Sequence, residues 1–191
     1  MQSLGATFVE LTDSPDVLAR AQARDADAFC ELCRPYEDRL FRQAVTLCGD
    51  QTLAEDLVQE TLIQAWKSLH RFNGRCRLFT WFCSIMLHRY HKIMRRKRPT
   101  AVDDEVFRHV VDERPTPAAK TEILDRDLWL QSCLDHLPYK QRQVVYLRFY
   151  VENSLEEIAA ALQCPLGTVK STLFRGLENL RNMHRLRRLE F

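Results

Sequence analysis

The chain has 191 residues, of which 46% are hydrophobic and 28% are charged, with a net charge of +2. This composition is typical of a soluble globular protein and excludes a disordered tail. With five Gly and seven Pro, the chain has too few turn residues to favour an all-β fold. No apolar run approaches the roughly 18 residues of a membrane span, and the first residues lack the features of a secretory signal. We expect a cytoplasmic protein without membrane insertion.

The first predicted element begins at Ser14-Pro15, because Ser is favoured at the N-cap and Pro at the first helical position. Apolar residues then recur at helical spacing from Val17 to Leu47, which predicts two helices. Gly49-Asp50 interrupts this pattern.

A longer helix follows. Thr52 and Glu55 have the spacing of a capping box. Behind them, apolar residues from Ala54 to Leu69 recur at steps of three and four, with acidic and amide side chains on the other side. This is the clearest helix in the sequence.

Residues 71–98 contain nine Lys and Arg and no Asp or Glu. They form a predicted basic loop, Arg71 to Arg77, and a helix from Thr80 to about Lys97, which Pro99 ends. Cations can follow a nucleic-acid backbone, and the interspersed aromatic side chains can stack on unstacked bases. The alternative is that the aromatic rings belong to the core and the cations are solvated at a helix end.

Residues 99–123 are acidic, lack periodicity and contain Pro115 and Pro117, which predicts a linker. Pro138 then opens a helix that runs to Phe149. Ser154 and Glu157 form a second predicted capping box at the start of a short helix.

The last two helices are typical of a helix-turn-helix, with a turn at residues 164–167 and a final helix from Thr168 to about Arg185. Its predicted inward face carries Val169, Leu173, Leu177 and Leu180. Its outer face carries Thr168, Lys170, Ser171, Thr172 and Arg175. Arg pairs bidentately with guanine, and Ser and Thr reach bases or phosphates. The alternative is a plain helical hairpin with solvated charges.

The cysteines and histidines predict neither a metal site nor a cofactor. Seven Cys without a secretory signal are expected to be reduced thiols. Cys30-x-x-Cys33 is a single pair, and a zinc site needs two further ligands at definite spacing. No Gly-rich phosphate loop or hydrolase motif is present, so we predict no enzymatic activity.

Taken together, these segments resemble the bacterial sigma factors of the extracytoplasmic-function (ECF) group, within the sigma-70 family. The motifs similar to region 2 are Ala54–Glu60 with Trp66, Phe72-Asn73-Gly74, Phe79-Thr80-Trp81 and residues 95–98. The motifs similar to region 4 are Leu137-Pro138, Gln141-Arg142, Glu157-Ile158-Ala159 and residues 167–171. The resemblance implies an all-α protein of two small helical domains. The expected layout is a tail at 1–13, region 2 at 14–98, a flexible acidic linker at 99–123 and a region 4 helix-turn-helix at 124–188.

The resemblance also implies a function, namely a dissociable subunit that directs RNA polymerase core to promoters and assists their opening. The residues implied to bind the β′ clamp helices of the core are Asp56, Gln59, Glu60 and Ile63. Those implied to contact the −10 element are Asn73, Gly74, Arg75, Arg77, Trp81, His88, Arg89, Lys92, Arg95 and Arg96. Within that set, Asn73 and the loop backbone would hold a flipped base, and the cations would contact mostly phosphates.

The outer face of the last helix, Thr168, Lys170, Ser171, Thr172 and Arg175, is implied to read the −35 element. Region 4 would also rest on the β flap, and an anti-sigma factor is an expected partner. The chain departs from the family pattern in the −10 surface, where His88 replaces the usual Asn and Lys92 the usual Asp. In the loop, Arg75 replaces an acidic residue and Cys76 a Ser. These changes put the −10 sequence preference in doubt.

Two other functions would each account for part of the sequence. A stand-alone helix-turn-helix regulator would use the C-terminal motif alone, and it would leave the first basic segment without a role. A thiol or metal sensor would use Cys30 and Cys33, with Cys48, Cys76, His88 and His91 as loose further candidates.

Overall fold

The computed structural model describes residues 14–97, 134 and 136–187, with side chains up to residue 96 in the first range and up to residue 183 in the last. The predicted N-terminal tail and linker lie outside these residues. Within them, every regular element is helical. None of the described helices is both long enough and apolar enough to cross a membrane.

Three short helices come first, where the sequence pattern predicted two. They are α1 (Pro15–Gln22), α2 (Ala26–Cys33) and α3 (Glu37–Cys48), with a 3₁₀ turn at Arg34–Tyr36 between the last two. Arg24 takes a left-handed conformation with φ 73°. Asp25 then caps α2 by accepting a hydrogen bond from the backbone N–H of Ala28 at 3.0 Å. The apolar spacing continues across this break, which is why periodicity alone did not separate α1 from α2.

The fourth helix, α4 (Gln51–Ser68), begins earlier than its predicted capping box. The cap is Asp50, whose carboxylate accepts a hydrogen bond from the backbone N–H of Leu53 at 2.7 Å. Gly49 ends α3 in the left-handed conformation with φ 63°. The chain turns there, so that α4 can begin two residues later with Asp50 as its N-cap. The prediction that Thr52 and Glu55 cap the helix was therefore wrong, because Thr52 already lies inside its first turn.

A 3₁₀ turn (Leu69–Arg71) and the basic loop lead into α5 (Leu78–Lys97), which packs across α3 and α4. Its apolar side is fully buried and includes Phe79, Phe82 and Met86. The ring of Tyr36 lies 5.7 Å from that of Phe82. This core holds the basic loop and the outer face of α5 in fixed positions relative to α4.

The C-terminal unit contains α6 (Tyr139–Phe149), α7 (Leu155–Ala161) and α8 (Leu166–Arg187). Both bonds of the capping box at Ser154 and Glu157 are present, as the sequence predicted. The turn of the helix-turn-helix lies at residues 162–165, with Gln163 at φ 52°. The predicted turn at 164–167 is therefore displaced, since Leu166 and Gly167 already belong to α8.

Helix α8 packs on α6 through Gly176, and this corrects one predicted core residue. A Cβ built on Gly176 would lie 2.9 Å from Cγ2 of Val145, so the two helices approach closely here. Val169 is fully buried, as predicted, whereas Leu177 is 38% exposed. Successive helical residues are about 100° apart around the axis. Because Gly176 lies against α6, the side chain of Leu177 points away from that contact and toward solvent.

The N-terminal unit, α1 to α5, packs against the C-terminal unit, since α5 contacts both α6 and α7. Tyr146 of α6 is fully buried, and its hydroxyl donates a hydrogen bond to the carbonyl oxygen of Gln43 in α3 at 3.2 Å. Buried side chains from both units form one continuous apolar cluster.

Candidate nucleic-acid interface

The basic loop between α4 and α5 is shaped by its own side chains. Asn73 accepts a hydrogen bond from the backbone N–H of Arg75 at 3.1 Å, which is an Asx turn. Gly74 between them has φ 70° and open space around its α-carbon. Arg71, Asn73, Gly74 and Arg75 are all exposed. The predicted base-pocket loop is therefore accessible, and the Asn73 side chain sets its conformation.

Trp81 lies at the border between core and surface. Its ring is half-buried and sits 5.4 Å from Phe72 and 5.6 Å from Phe82, both of which are buried. The same ring lines a surface cavity. The indole therefore packs on two buried rings and also forms part of the wall of that cavity.

The predicted −10 cations fall into two groups. Arg75, Lys92, Arg95 and Arg96 are exposed. The other two, Arg77 and Arg89, are half-buried and ion-paired.

Arg77 is held by the C-terminal unit. Its Nε donates a hydrogen bond to Oε1 of Glu157 at 2.7 Å, and its Nη2 donates to Oδ1 of Asn153 at 2.9 Å. Arg89 is held by α4, since its Nη2 lies 2.6 Å from Oε2 of Glu60. Spacing along the sequence does not reveal these pairs, which join residues 80, 76 and 29 positions apart.

His88 and His91 of α5 both contact Tyr139 at the start of α6. Nδ1 of the exposed His88 lies 3.0 Å from the hydroxyl of Tyr139. The rings of His91 and Tyr139 stack with their centres 4.1 Å apart. The position where the ECF pattern has Asn is therefore part of the contact between the two units.

The predicted polymerase-binding residues share one face of α4, since positions 56, 59, 60 and 63 follow helical spacing. Asp56 and Gln59 are exposed, and Ile63 is 55% exposed. Glu60 is half-buried because of its ion pair with Arg89. Together the four residues place an acidic, amide and apolar strip on one side of α4.

The predicted −35 residues lie on the outer side of α8. Thr168, Lys170, Ser171 and Arg175 are exposed, and Thr172 is half-buried. The hydroxyl of Ser171 donates to the carbonyl oxygen of Thr168 at 3.1 Å, which leaves its oxygen free to accept.

Three apolar side chains of the C-terminal unit are exposed although no exposed apolar residue was predicted there from the sequence, and Leu177 among them was predicted to face the core. Phe174 is 69% exposed and Leu177 is 38% exposed, three residues apart on α8, and Phe149 of α6 is 54% exposed. Phe174 falls outside the stripe of Val169, Leu173 and Leu180, and that mismatch was visible in the sequence.

One surface cavity of about 750 Å³ is lined by residues from both predicted DNA-binding sets. Trp81, His88 and Arg89 line it from α5, and Thr168 and Thr172 line it from α8. Three of the ten predicted −10 residues and two of the five predicted −35 residues therefore border one cavity, whereas Lys170, Ser171 and Arg175 do not line it.

The thiols in the described part of the chain show no metal-binding arrangement. Among the described residues, no group of three or more His, Cys, Asp or Glu could hold a metal ion. Cys30 is exposed and Cys33 is buried, and burial raises the pKa of Cys33 to about 12. A buried thiol with this pKa is a poor nucleophile and a poor ligand.

Comparison with known proteins identifies the family. Residues 32–100 match Sigma-70 region 2, and residues 127–180 match Sigma-70, region 4. The RNA polymerase sigma-H factor of Pseudomonas aeruginosa is 30% identical over 179 residues, which cover 88% of this chain and 93% of that protein. This chain belongs to the RNA polymerase sigma factors. The ECF RNA polymerase sigma factor SigW of Bacillus subtilis, 30% identical over 84% of this chain and 91% of its own length, places it in the ECF group.

Solved structures agree with this assignment. The sigma factor RpoE of Bartonella quintana, in complex with the anti-sigma factor NepR, is 27% identical with a TM-score of 0.54, over 82% of this chain and 96% of that one. CnrH in complex with the cytosolic domain of CnrY is 21% identical with a TM-score of 0.61, over 90% and 96% of the two chains, and it supports the fold alone. The predicted resemblance and the all-α fold with two sigma domains are confirmed. The sigma-factor interpretation is supported over that of a stand-alone regulator.

Proposed function

We propose that this sigma factor binds RNA polymerase core, directs it to specific promoters and assists in opening the duplex. One observation carries the proposal. A single chain combines an exposed acidic and apolar face on α4, a basic loop and helix beside it, and a separate helix-turn-helix. A stand-alone regulator needs only the last of these.

The −10 contacts divide by chemistry. Arg75, Lys92, Arg95 and Arg96 are exposed and would neutralise phosphates without reading bases. The loop at Asn73 and Gly74 would receive an unstacked base, because its backbone is accessible and preformed. Unstacking a base costs a few kcal/mol, which a fitted pocket must offset.

Arg89 and Glu60 would act together. Their ion pair joins the face proposed to bind polymerase to the face proposed to bind DNA. Glu60 thereby fixes the guanidinium of Arg89, a residue that lines the shared cavity. Glu60 is a positioning residue in this proposal, and Asp56, Gln59 and Ile63 supply the polymerase contact.

In the C-terminal unit, Lys170, Ser171 and Arg175 would reach the major groove of the −35 element, with Thr168 and Thr172 at the edge. Phe174 and Leu177 lie on the same helix and are exposed. We assign them to the polymerase contact of region 4 at the β flap, because apolar side chains of this size gain more from a protein surface than from phosphates.

The remaining assignments follow from the family. The sigma factors are transcription initiation factors, and we propose that this one has no catalytic activity of its own and acts in the cytoplasm. Because the similar sigma factor RpoE is solved in complex with the anti-sigma factor NepR, we propose that an anti-sigma factor is also a partner here.

The decisive experiment is run-off transcription with sigma-free bacterial core polymerase and a sheared genomic template from the source organism. We expect discrete new transcripts whose start sites share upstream sequences. Ile63→Asp is expected to abolish them by blocking core binding, whereas Val45→Asp, also at an exposed apolar position, is the matched control. Failure to bind core would refute the proposal and favour a stand-alone regulator.

A further inference from the structure

The shared cavity has a wall that favours anions. Among the described residues that line it there is no Asp or Glu, whereas Arg71, Arg89 and Lys140 all contribute to the wall. These three cations come from three different elements, namely the 3₁₀ turn after α4, α5 and α6. Side chains of one charge around a concave surface raise the local concentration of ligands of the opposite charge. The cavity is therefore suited to a negatively charged ligand.

Two of the three cations are not neutralised by the protein. Arg71 and Lys140 are exposed, and neither forms an ion pair with a carboxylate in the described part of the chain. The Nε of Arg71 donates a hydrogen bond to Nε2 of the neighbouring His70 at 3.3 Å. Arg89 differs, because its Nε and Nη2 donate to Oε2 of Glu60 at 2.9 and 2.6 Å. Arg71 and Lys140 are thus the two cations that can bind an anion without first losing a carboxylate.

The wall also contains an aromatic ring that is already fixed in place. The indole of Trp81 packs on the rings of Phe72 and Phe82, with centres 5.4 and 5.6 Å away. A nucleobase of any sequence can stack on such a ring, because every base has a π face. Ser84 and Thr172 add hydroxyl groups to the same wall, and these can bind a sugar or the edge of a base.

We propose that the shared cavity binds a nucleoside diphosphate as a free ligand, with its base stacked on Trp81 and its two phosphates held by Arg71 and Lys140. An aromatic group joined to neighbouring anionic groups matches a wall that has one fixed ring and cations from both units. The volume of about 750 Å³ lies within the roughly 300–1,000 Å³ of typical small-molecule pockets.

The same chemistry is present in a nucleotide of a DNA strand, and two residues separate the two sources. Arg71 and Lys140 line the cavity, yet neither belongs to the residues predicted to contact the −10 or the −35 element. A free nucleotide would also cover Trp81 and Arg89, so it should compete with promoter DNA. That consequence rests on the proposed function, whereas binding of the nucleotide does not.

The test is isothermal titration calorimetry of the full chain with ADP and with GDP, without DNA or polymerase. Lys140→Gln should weaken binding about tenfold, as expected from the loss of one charge-assisted hydrogen bond. The matched control is Lys67→Gln, which makes the same change at an exposed lysine of α4 that does not line the cavity, and it should bind like the wild type. Lys140→Arg keeps the cation and should retain the affinity. Circular dichroism checks that all variants have equal helix content.

Three other ligands separate the parts of the proposed contact. Pyrophosphate lacks the base and adenosine lacks the phosphates, so each should bind at least about tenfold more weakly than ADP, because each loses one set of contacts. A labelled, mixed-sequence single-stranded oligonucleotide, followed by fluorescence anisotropy, represents the DNA strand. ADP should displace it, and Lys140→Gln should bind it as tightly as Lys67→Gln does.

Four results would overturn the inference. The wild type could fail to bind ADP and GDP at millimolar concentration. Pyrophosphate could bind as tightly as ADP, which would show an anion site without stacking. Lys140→Gln could lose as much affinity for the oligonucleotide as for ADP, which would assign the cavity to the path of a DNA strand. Lys67→Gln could weaken ADP binding as much as Lys140→Gln, which would assign the effect to overall charge. All four are measured without polymerase, so they are distinct from a failure of the proposed function, which core binding reports.

Discussion

Substituting Gly176 by Ala tests the close packing of α8 on α6. At a helix position with free space around the α-carbon, this change would stabilise the protein by up to about 1 kcal/mol, because Gly is a poorer helix former than Ala. Here the new Cβ would lie 2.9 Å from Cγ2 of Val145 and 3.4 Å from Cβ of Gln141, against an optimum of about 3.5–4.0 Å between carbons. Val145 is 3% exposed and β-branched, so its side chain cannot turn away.

The helices must therefore move apart. Overpacking of this kind costs about 1–3 kcal/mol, which exceeds the gain in helix propensity. We expect a net loss of about 1 kcal/mol, measured by urea unfolding followed by circular dichroism at 222 nm, an amide wavelength that follows helix content. With a urea m-value of about 2 kcal/mol/M, the midpoint should fall by roughly 0.5 M.

Gly167→Ala is the control, because it lies in the same helix and its Cβ would meet no atom within 4 Å. We expect its midpoint to stay the same or increase. A Gly176→Ala midpoint at or above that of Gly167→Ala would refute the claim that the α6–α8 approach requires glycine.

Four further predictions concern DNA binding, partner binding and stability. Arg95→Gln should weaken DNA binding evenly across promoter sequences and lower the slope of log affinity against log salt by about 0.9; a sequence-dependent loss in filter-binding titrations would show a base contact instead. Phe174→Ser should weaken binding to core polymerase in a fluorescence assay while leaving the urea midpoint unchanged; a lower midpoint would place the ring in the fold. Ser154→Ala should lower the free energy of unfolding by about 1 kcal/mol, since it removes the hydrogen bond that the Ser154 side chain accepts in the capping box. A decrease of less than about 0.3 kcal/mol would contradict that role. Burial raises the pKa of Cys33 to about 12, above the roughly 8.5 of an unfolded thiol, so its contribution to stability is complete below about pH 8.5 and is lost as the pH rises toward 12. Urea titrations at pH 8 and pH 10 should therefore show a smaller alkaline loss in Cys33→Ala than in the wild type.

Much of the candidate site follows from local sequence because its elements are set locally. The Ser154 and Glu157 capping box, the Pro138 helix start and the basic outer face of α8 all depend on residues within a few positions of one another. Errors of local prediction occurred where two strong features competed. Asp50 and Thr52 can both cap a helix. Asp50 is the cap in the structure, because the left-handed Gly49 ends the preceding helix directly before it.

The sequence by itself determined the helical class, the order of the two units and the sign of charge on each surface, because periodicity, caps and composition are properties of neighbouring residues. The tertiary structure decided which of those charged side chains are exposed and which are held in ion pairs. Arg77 and Arg95 are both basic residues of one segment, yet Arg77 is bound by Glu157 and Arg95 is exposed. Leu177 follows the same spacing as Val169 and still faces solvent, because Gly176 brings α8 onto α6. Pairings between residues 80 positions apart depend on how the helices dock, and no local pattern in the chain encodes that.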